Sequence, residues 1–222
     1  NTGFRVEAGD LPEFALYMAG MGGNCKIGIS VNGKSKWITT ANNIRTIYRA
    51  GTMLYQIKDS LLGKGQIDLS VLATAAAEGM IIKIETANIP ANTSLVIVYG
   101  GATGKKFSRD GDIGADPESS FYLQPAYCKD NRYTIFKNTF QLSYGLSKAL
   151  SEEERYEIQY GNKQADTIPK EKPKQLTGVF PENVEVQIAD AEKQNTPDEL
   201  LASPANLKLP VIAATEILQL PQ

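Results

Sequence analysis

Apolar or strand-favouring side chains recur every second residue along most of this chain: Ile44, Thr46 and Tyr48; Met53, Tyr55 and Ile57; Ile67, Leu69 and Val71; Leu95, Ile97 and Tyr99; Val184, Val186 and Ile188. Successive side chains of an extended strand point to opposite faces, so a period of two turns one set toward a core and the other toward solvent or a second layer. Turn chemistry separates the runs in TTANN (39–43), RAG (49–51), LLGKG (61–65), AAEG (76–79) and NIPANTS (88–94). Short strands joined by short turns, without long helical patterns between them, predict an all-β, antiparallel β-sandwich rather than a doubly wound α/β sheet. GMIIKIETANI and SLVIVYGG are apolar enough to be expected as central strands. The 222 residues are read as one such domain, because sandwiches of about 200–250 residues commonly form a single unit.

Two short helices are expected in loops. SEEERY offers Ser151 as an N-cap with Glu154 three residues on, and TPDELLAS offers Thr196 as cap, Pro197 in the first turn and Glu199 to complete a capping box. Residues 161–175, GNKQADTIPKEKPKQ, are polar with two prolines and read as an exposed linker or long loop, after which the strand pattern resumes at GVFPENVEVQIAD.

Composition removes whole classes of chemistry. The chain has no histidine, which excludes Ser-His-Asp and Cys-His nucleophile systems, HExxH zinc sites and most transition-metal sites. Chemistry here would have to use carboxylates, Lys, Tyr or Ser. A formal charge of −2 supplies no basic field for nucleic acid. No run approaches the ~18 apolar residues of a membrane helix. Cys25 and Cys128 are too few and too far apart for a disulfide framework or a CxxC motif, so free, partly buried thiols are expected. The start, NTGFRVEAGD, has neither Met nor the basic and apolar regions of a signal peptide, so a processed or trimmed chain is expected.

Two glycine-rich stretches fail as phosphate loops. In VIVYGGATGKK (96–106), Tyr99 takes the place of the first glycine and Lys106 that of the magnesium-binding hydroxyl. GMGGNC (20–25) lacks the last glycine of GxGxxG and reads better as a close backbone turn. The densest polar feature is SRDGDIGADPESSFYL (108–123), which carries Asp110, Asp112, Asp116 and Glu118, with Asp130 close behind. Asp110, Asp112 and Asp116 have a partial calcium spacing, but Gly111 and Gly114 do not fall where an EF-hand loop turns, and no bidentate Glu ends the run. A carboxylate pair for glycoside hydrolysis is a second reading: Asp110 and Asp112, two apart on extended chain, would lie about 7 Å apart, which the inverting geometry would accept, and Asp112 and Glu118 are the acid and base of the enzyme alternative. A third is a set of solvated turns in which the aspartates accept from local backbone N–H groups. A fourth is carbohydrate recognition. Arg109 and the four carboxylates would bond sugar hydroxyls, while Phe107, Phe121, Tyr122 or Tyr127 would offer a flat apolar face. Trp37, in SKWITT, divides between a core role at a strand end and a stacking platform.

The segments NTGFRVEAGDLPEFALYMAGMGGN, GTMLYQIKDSLLGKG, FSRDGDIGADPESSFYLQPAYCKDN and ELLASPA together resemble a domain-of-unknown-function family of large secreted glycoside-hydrolase-like proteins from glycan-degrading gut bacteria. The resemblance covers nearly the whole chain. It implies a supersandwich-like region of the kind that precedes an (α/α) toroid in several glycoside hydrolase families, within a longer chain, and a secreted or periplasmic location. The acid and base of such enzymes usually come from the toroid, so independent catalysis is not expected.

The sequence therefore predicts a non-catalytic β-sandwich module of a glycoside hydrolase, with a glycan and the helical catalytic domain of the same parent chain as partners. Sugar contact would fall to Arg109, Asp110, Asp112, Asp116, Glu118, Phe121, Tyr122 and Trp37. No cofactor is expected, save calcium in the alternative reading. The competing expectations are a stand-alone carbohydrate-active enzyme and a structural, calcium-stabilised spacer.

Overall fold

The computed structural model describes residues 4–18, 20–105, 122–145, 156, 159–161, 174–205 and 207–218. Among them, fourteen antiparallel strands, numbered along the chain, form three sheets. The large sheet holds β1 (Phe4–Ala8), β2 (Glu13–Met18), β3 (Met21–Val31), β9 (Thr93–Gly100), β14 (Pro210–Leu218) and β13 (Glu185–Asp190) in that spatial order, with β4 (Lys34–Trp37) pairing the second half of β3. A four-stranded meander contains β5 (Asn43–Arg49), β6 (Thr52–Lys58), β7 (Gln66–Ala73) and β8 (Met80–Ala87); a three-stranded one contains β10 (Arg132–Phe136), β11 (Thr139–Tyr144) and β12 (Lys174–Val179).

Both smaller sheets lie on the same face of the large one. Phe14, Ile27, Leu95 and Tyr99 of the large sheet share a core with Tyr55, Ile57, Ile67 and Leu69 of the meander and with Phe140, Leu142 and Tyr144 of the three-stranded sheet. The opposite face is also covered. Val96, Val98, Val211 and Ala213 pack there with Trp37 of β4, with Leu123, and with Cys128, Ala191 and Leu200, the last three contributed by short 3-10 turns (Pro125–Cys128, Ala191–Lys193) and the helix α1 (Pro197–Leu201). This explains the near-continuous apolar run of β9: its odd residues face one core and its even residues the other.

Helix α1 forms as its sequence predicts. The Thr196 hydroxyl accepts from the Glu199 N–H at 3.1 Å and Pro197 opens the first turn. The box closes differently, because the Glu199 carboxylate accepts from the Asn195 side chain rather than turning back on the cap. Pro197 lies so close to Gly28 of β3 that a Cβ there would come within 2.4 Å of its ring, so only glycine lets the helix seat on the sheet. Of the helix expected over SEEERY, residues 151–155 lie outside the described residues, and Tyr156 is helical.

Four expectations need correction. Of GMGGNC only Gly20 lies in the β2–β3 turn, and Met21–Cys25 begin β3, where the β2–β3 register shifts between Leu16 and Tyr17. There Gly23, at φ +131°, leaves room for the Tyr99 ring, whose hydroxyl donates to the Gly22 carbonyl at 3.0 Å. GMIIKIETANI forms β8, the outermost strand of the meander rather than a central one; Met80, Ile82 and Ile84 face inward while Lys83 and Glu85 pair on the solvent side at 2.8 Å. Tyr48 is the last residue but one of the outer strand β5 and is exposed. Strand structure resumes at Lys174, so the last two residues of the expected 161–175 excursion belong to β12. The remaining linker residues, 162–173, lie outside the described residues.

Asp59 ties the large sheet to the meander. Its carboxylate accepts from Leu61 N–H at 2.9 Å, Asn42 N–H at 3.0 Å and the Lys36 ammonium at 2.9 Å, joining β4 to the turn before β7. Burial pushes this carboxyl up, but the donors together outweigh it and hold Asp59 below the ordinary aspartate range. A depressed folded-state value contributes stability that is present above the unfolded value of 3.8 and lost as pH falls through the folded one. Asp59→Asn should therefore cost about 1.5–3 kcal/mol at neutral pH, the range for hydrogen bonds to a charged group. Urea unfolding across the acid range should show that cost shrinking as pH drops below the aspartate range; a pH-independent cost would remove the charge from the account.

Candidate functional site

The acidic segment is carried on a well-anchored base. On its near side the Met21 N–H donates to the Lys105 carbonyl at 2.9 Å, and the Met21 carbonyl accepts from Gly104 N–H at 2.8 Å. Asn131 brackets Ala102, its side chain accepting from the Ala102 N–H and donating to the Ala102 carbonyl. On the far side the buried Glu13 carboxylate accepts from Leu123 N–H at 2.6 Å. Both flanks of residues 106–121 are thus fixed to β2 and β3.

Of the residues expected to contact sugar, Arg109, Asp110, Asp112, Asp116, Glu118 and Phe121 lie outside the described residues, and with them the catalytic alternative Asp112 and Glu118 and the calcium alternative. Phe107 lies there too. Tyr122 stands at the foot of the segment and is 38% exposed. Tyr127 is half-buried beside Gly101. Trp37 is 6% exposed and belongs to the core under α1. Its Nε1 donates to the Gln194 carbonyl at 2.9 Å, and the Lys26 ammonium lies 4.5 Å from the ring centroid. A ring packed on these neighbours is not a free platform for stacking. Among the described residues, no three His, Cys, Asp or Glu side chains group so as to hold a metal ion.

Sequence reasoning passed over Glu13 and Lys26, which sit opposite each other on β2 and β3. Burial pushes the Glu13 carboxyl up, opposed by the Leu123 N–H and by Lys26; burial pushes the Lys26 ammonium down, opposed by Glu13. The available signal was a lone carboxylate in the otherwise apolar LPEFALYM. The arrangement positions Leu123.

A cleft of about 760 Å³ opens on the other face of the same strands. Its floor is the large sheet, through Leu16, Cys25, Ile27, Ile97 and Tyr99. One wall is β8, through Met80, Ile82 and Ile84; the other is Gln175–Val179 of β12 with Phe180. Phe140, directly opposite Gly178 in the β11–β12 register, lays its ring across that glycine, where a Cβ would come within 2.1 Å of it. Tyr99, Phe140 and Phe180 form an aromatic chain with centroids 5.6 and 5.9 Å apart. Among the described residues, Glu78 and Glu216 are the charged ones of the lining.

This lining is suited to taking up apolar groups. Burial, with a smaller push from Glu13, holds the Cys25 thiol at about 12, and burial holds Cys128 at about 12 as well, so neither is a thiolate at neutral pH. Burial also drives the Tyr99 hydroxyl well above its ordinary value. In the folded protein both free thiols should resist alkylation at mildly alkaline pH and react only on unfolding; rapid labelling of Cys25 alone would mean that the cleft floor opens. The cleft also leaves its walls incompletely packed. Ile67→Ala, at a fully buried position, should cost about 2–5 kcal/mol in urea unfolding, and Ile82→Ala about half of that or less, because its side chain already borders open space. Equal costs would show that the cleft is closed in solution.

No curated protein and no solved structure compared with the chain matches it. A family model described as a domain of unknown function, DUF4450, matches residues 18–218. That stretch runs from the last residue of β2 to the end of β14 and so takes in both walls of the cleft and most of its floor. The chain belongs to the DUF4450 family of domains of unknown function.

Proposed function

We propose that this chain is a non-catalytic β-sandwich module of a glycoside hydrolase, which docks a neighbouring polypeptide in its apolar cleft and contacts carbohydrate through residues 107–122. The observation that carries the docking reading is the incomplete second layer. Tyr55 and Ile57 of β6 and Ile67, Leu69 and Val71 of β7 are buried, whereas the inward side chains of β8, Met80, Ile82 and Ile84, are only half-buried beside the cleft. An apolar surface of this kind, rimmed by polar groups, marks an interaction site more often than an ordinary surface. The resemblance to glycan-processing proteins supplies the second half of the reading, in which the docked polypeptide is the helical catalytic domain of the parent chain and the module is secreted or periplasmic.

Sugar contact draws support from the anchored base of the acidic segment. Glu13 and Met21 fix its flanks, and Tyr122 presents an exposed ring there. An element held at both ends loses less conformational entropy on binding than a free one.

Two readouts test the two halves separately. The isolated chain should bind an environment-sensitive apolar dye at the cleft, and the parent protein with its catalytic domain should not; equal dye binding by both would show that nothing docks there. On an array of plant and host glycans, the isolated chain should be retained without consuming the sugar, and Asp112→Asn, Glu118→Gln or Tyr122→Ala should weaken retention. Consumption abolished by Asp112→Asn would replace the module reading with a carboxylate-pair enzyme.

A further inference from the structure

The cleft is bordered by two sheet edges. The meander ends at β8, and the three-stranded sheet ends at β12. Among the described residues neither strand has a partner on its outer side. The two edges do not line the cleft in the same way. From β8 only alternate residues, Met80, Ile82 and Ile84, reach it, so that wall is an inward face. From β12 five consecutive residues, Gln175–Val179, reach it. Consecutive residues point to opposite faces, so the backbone edge itself borders the space.

An open edge presents unpaired N–H and C=O groups, which natural sheets usually blunt with charge, proline or a cover. Among the described residues the lining part of this edge, Gln175–Val179, carries neither charge nor proline nor a covering strand: Gln175, Thr177 and Val179 point away from the core, and Val179 is 71% exposed. Ile81 of β8, on the corresponding outer face of the other sheet, is 49% exposed. A small apolar ligand could cover the floor of the cleft but could not pair a backbone edge. An extended polypeptide does both. The length is suitable as well. The five lining residues of β12, like Met80 to Ile84 of β8, span about 17 Å at about 3.4 Å per residue, which is the usual length of a strand. Among the described residues the lining includes the carboxylates of Glu78 and Glu216 and no Lys or Arg, a balance that favours basic residues at the ends of the occupant.

Resting on the docking reading above, we propose that the occupant is a β-strand from outside these 222 residues, apolar at alternate positions and flanked by Lys or Arg, which inserts beside β12 toward β8 and joins the two smaller sheets into one continuous layer. Recognition then follows strand addition: main-chain hydrogen bonds hold the segment, and Ile27, Ile97, Tyr99 and Phe140 receive its inward side chains.

The test uses the 222-residue chain and synthetic peptides about eight residues long, the length of the gap plus its ends: alternating valine and threonine between two terminal lysines, the same peptide N-methylated at alternate backbone nitrogens, and the same peptide with terminal glutamates. The lysine peptide should slow amide hydrogen exchange in residues 80–84 and 175–179. N-methylation should weaken binding about tenfold or more, since several backbone hydrogen bonds are lost. The glutamate peptide should bind about threefold more weakly at low salt, and Glu78→Lys with Glu216→Lys, a rim change that spares the core, should reverse that preference. Absence of protection by any peptide overturns the proposal. Equal protection by the N-methylated peptide also overturns it in favour of apolar uptake alone, and protection that instead rises with protein concentration assigns the edge to a second copy. In each case the docking reading stands or falls separately, on the dye comparison between the isolated chain and the parent protein.

Discussion

The large sheet has to bury both of its faces, and most of the architecture answers that demand. β9 and β14 are apolar on every side chain of their central portions, so neither face of the sheet can be left to water. One face is closed economically by α1 and two 3-10 turns, with Trp37 and Leu200 filling the space. The other requires a full second layer, and the chain supplies it as two separate meanders. The division between those meanders is the cleft. Seen this way, the cleft results from building a second layer out of two short sheets whose edges are left apart.

The alternation of apolar residues was sufficient to read the strands and the sandwich, because a period of two is a local property that each strand carries in its own sequence. Thr196, Pro197 and Glu199 placed α1 for the same reason: capping chemistry acts within one turn. Strand order is different in kind. Nothing within Met80–Ala87 places it at an edge, and its run of isoleucines suggests a central strand; its position shows only in the pairing, in which β7 is its one partner among the described residues. The cleft was illegible for that reason. Asn32–Gly33, both at positive φ between β3 and β4, is a strong hairpin signal that the reading of alternation did not use.

Close approaches were illegible too. Gly28 against Pro197, Gly23 against Tyr99 and Gly178 against Phe140 are contacts between residues distant in sequence or on neighbouring strands, and glycine in a strand ordinarily reads only as a weak point. The polar groups misled in the opposite direction. Charges crowded between residues 110 and 118 attract attention as chemistry, whereas the charges that organise the described structure are isolated ones: Asp59 joining two sheets, and Glu13 fixing Leu123. A single carboxylate in an apolar strand is more informative than several in a glycine-rich loop, because burial makes an unpaired charge costly and so forces it to have a partner.

β2 and β3 connect the two features that bear on function. Along β3, Cys25 and Ile27 face the cleft, while Lys26 between them faces Trp37 and Gln194 on the opposite side. Along β2, Leu16 reaches the cleft, and Glu13 holds the far flank of the acidic segment. Met21, at the point where the register shifts, holds the near flank. The floor of the cleft and the base of the acidic segment are therefore two faces of one pair of strands. Close-packed interiors transmit displacement rather than absorb it, so a side chain pressed onto Cys25 and Ile27 bears on the same backbone that fixes Lys105 and Leu123. The bulge at Leu16 and Tyr17 lies between these loads, and the glycines that permit it, Gly22 and Gly23, are held in place by the Tyr99 hydroxyl and ring.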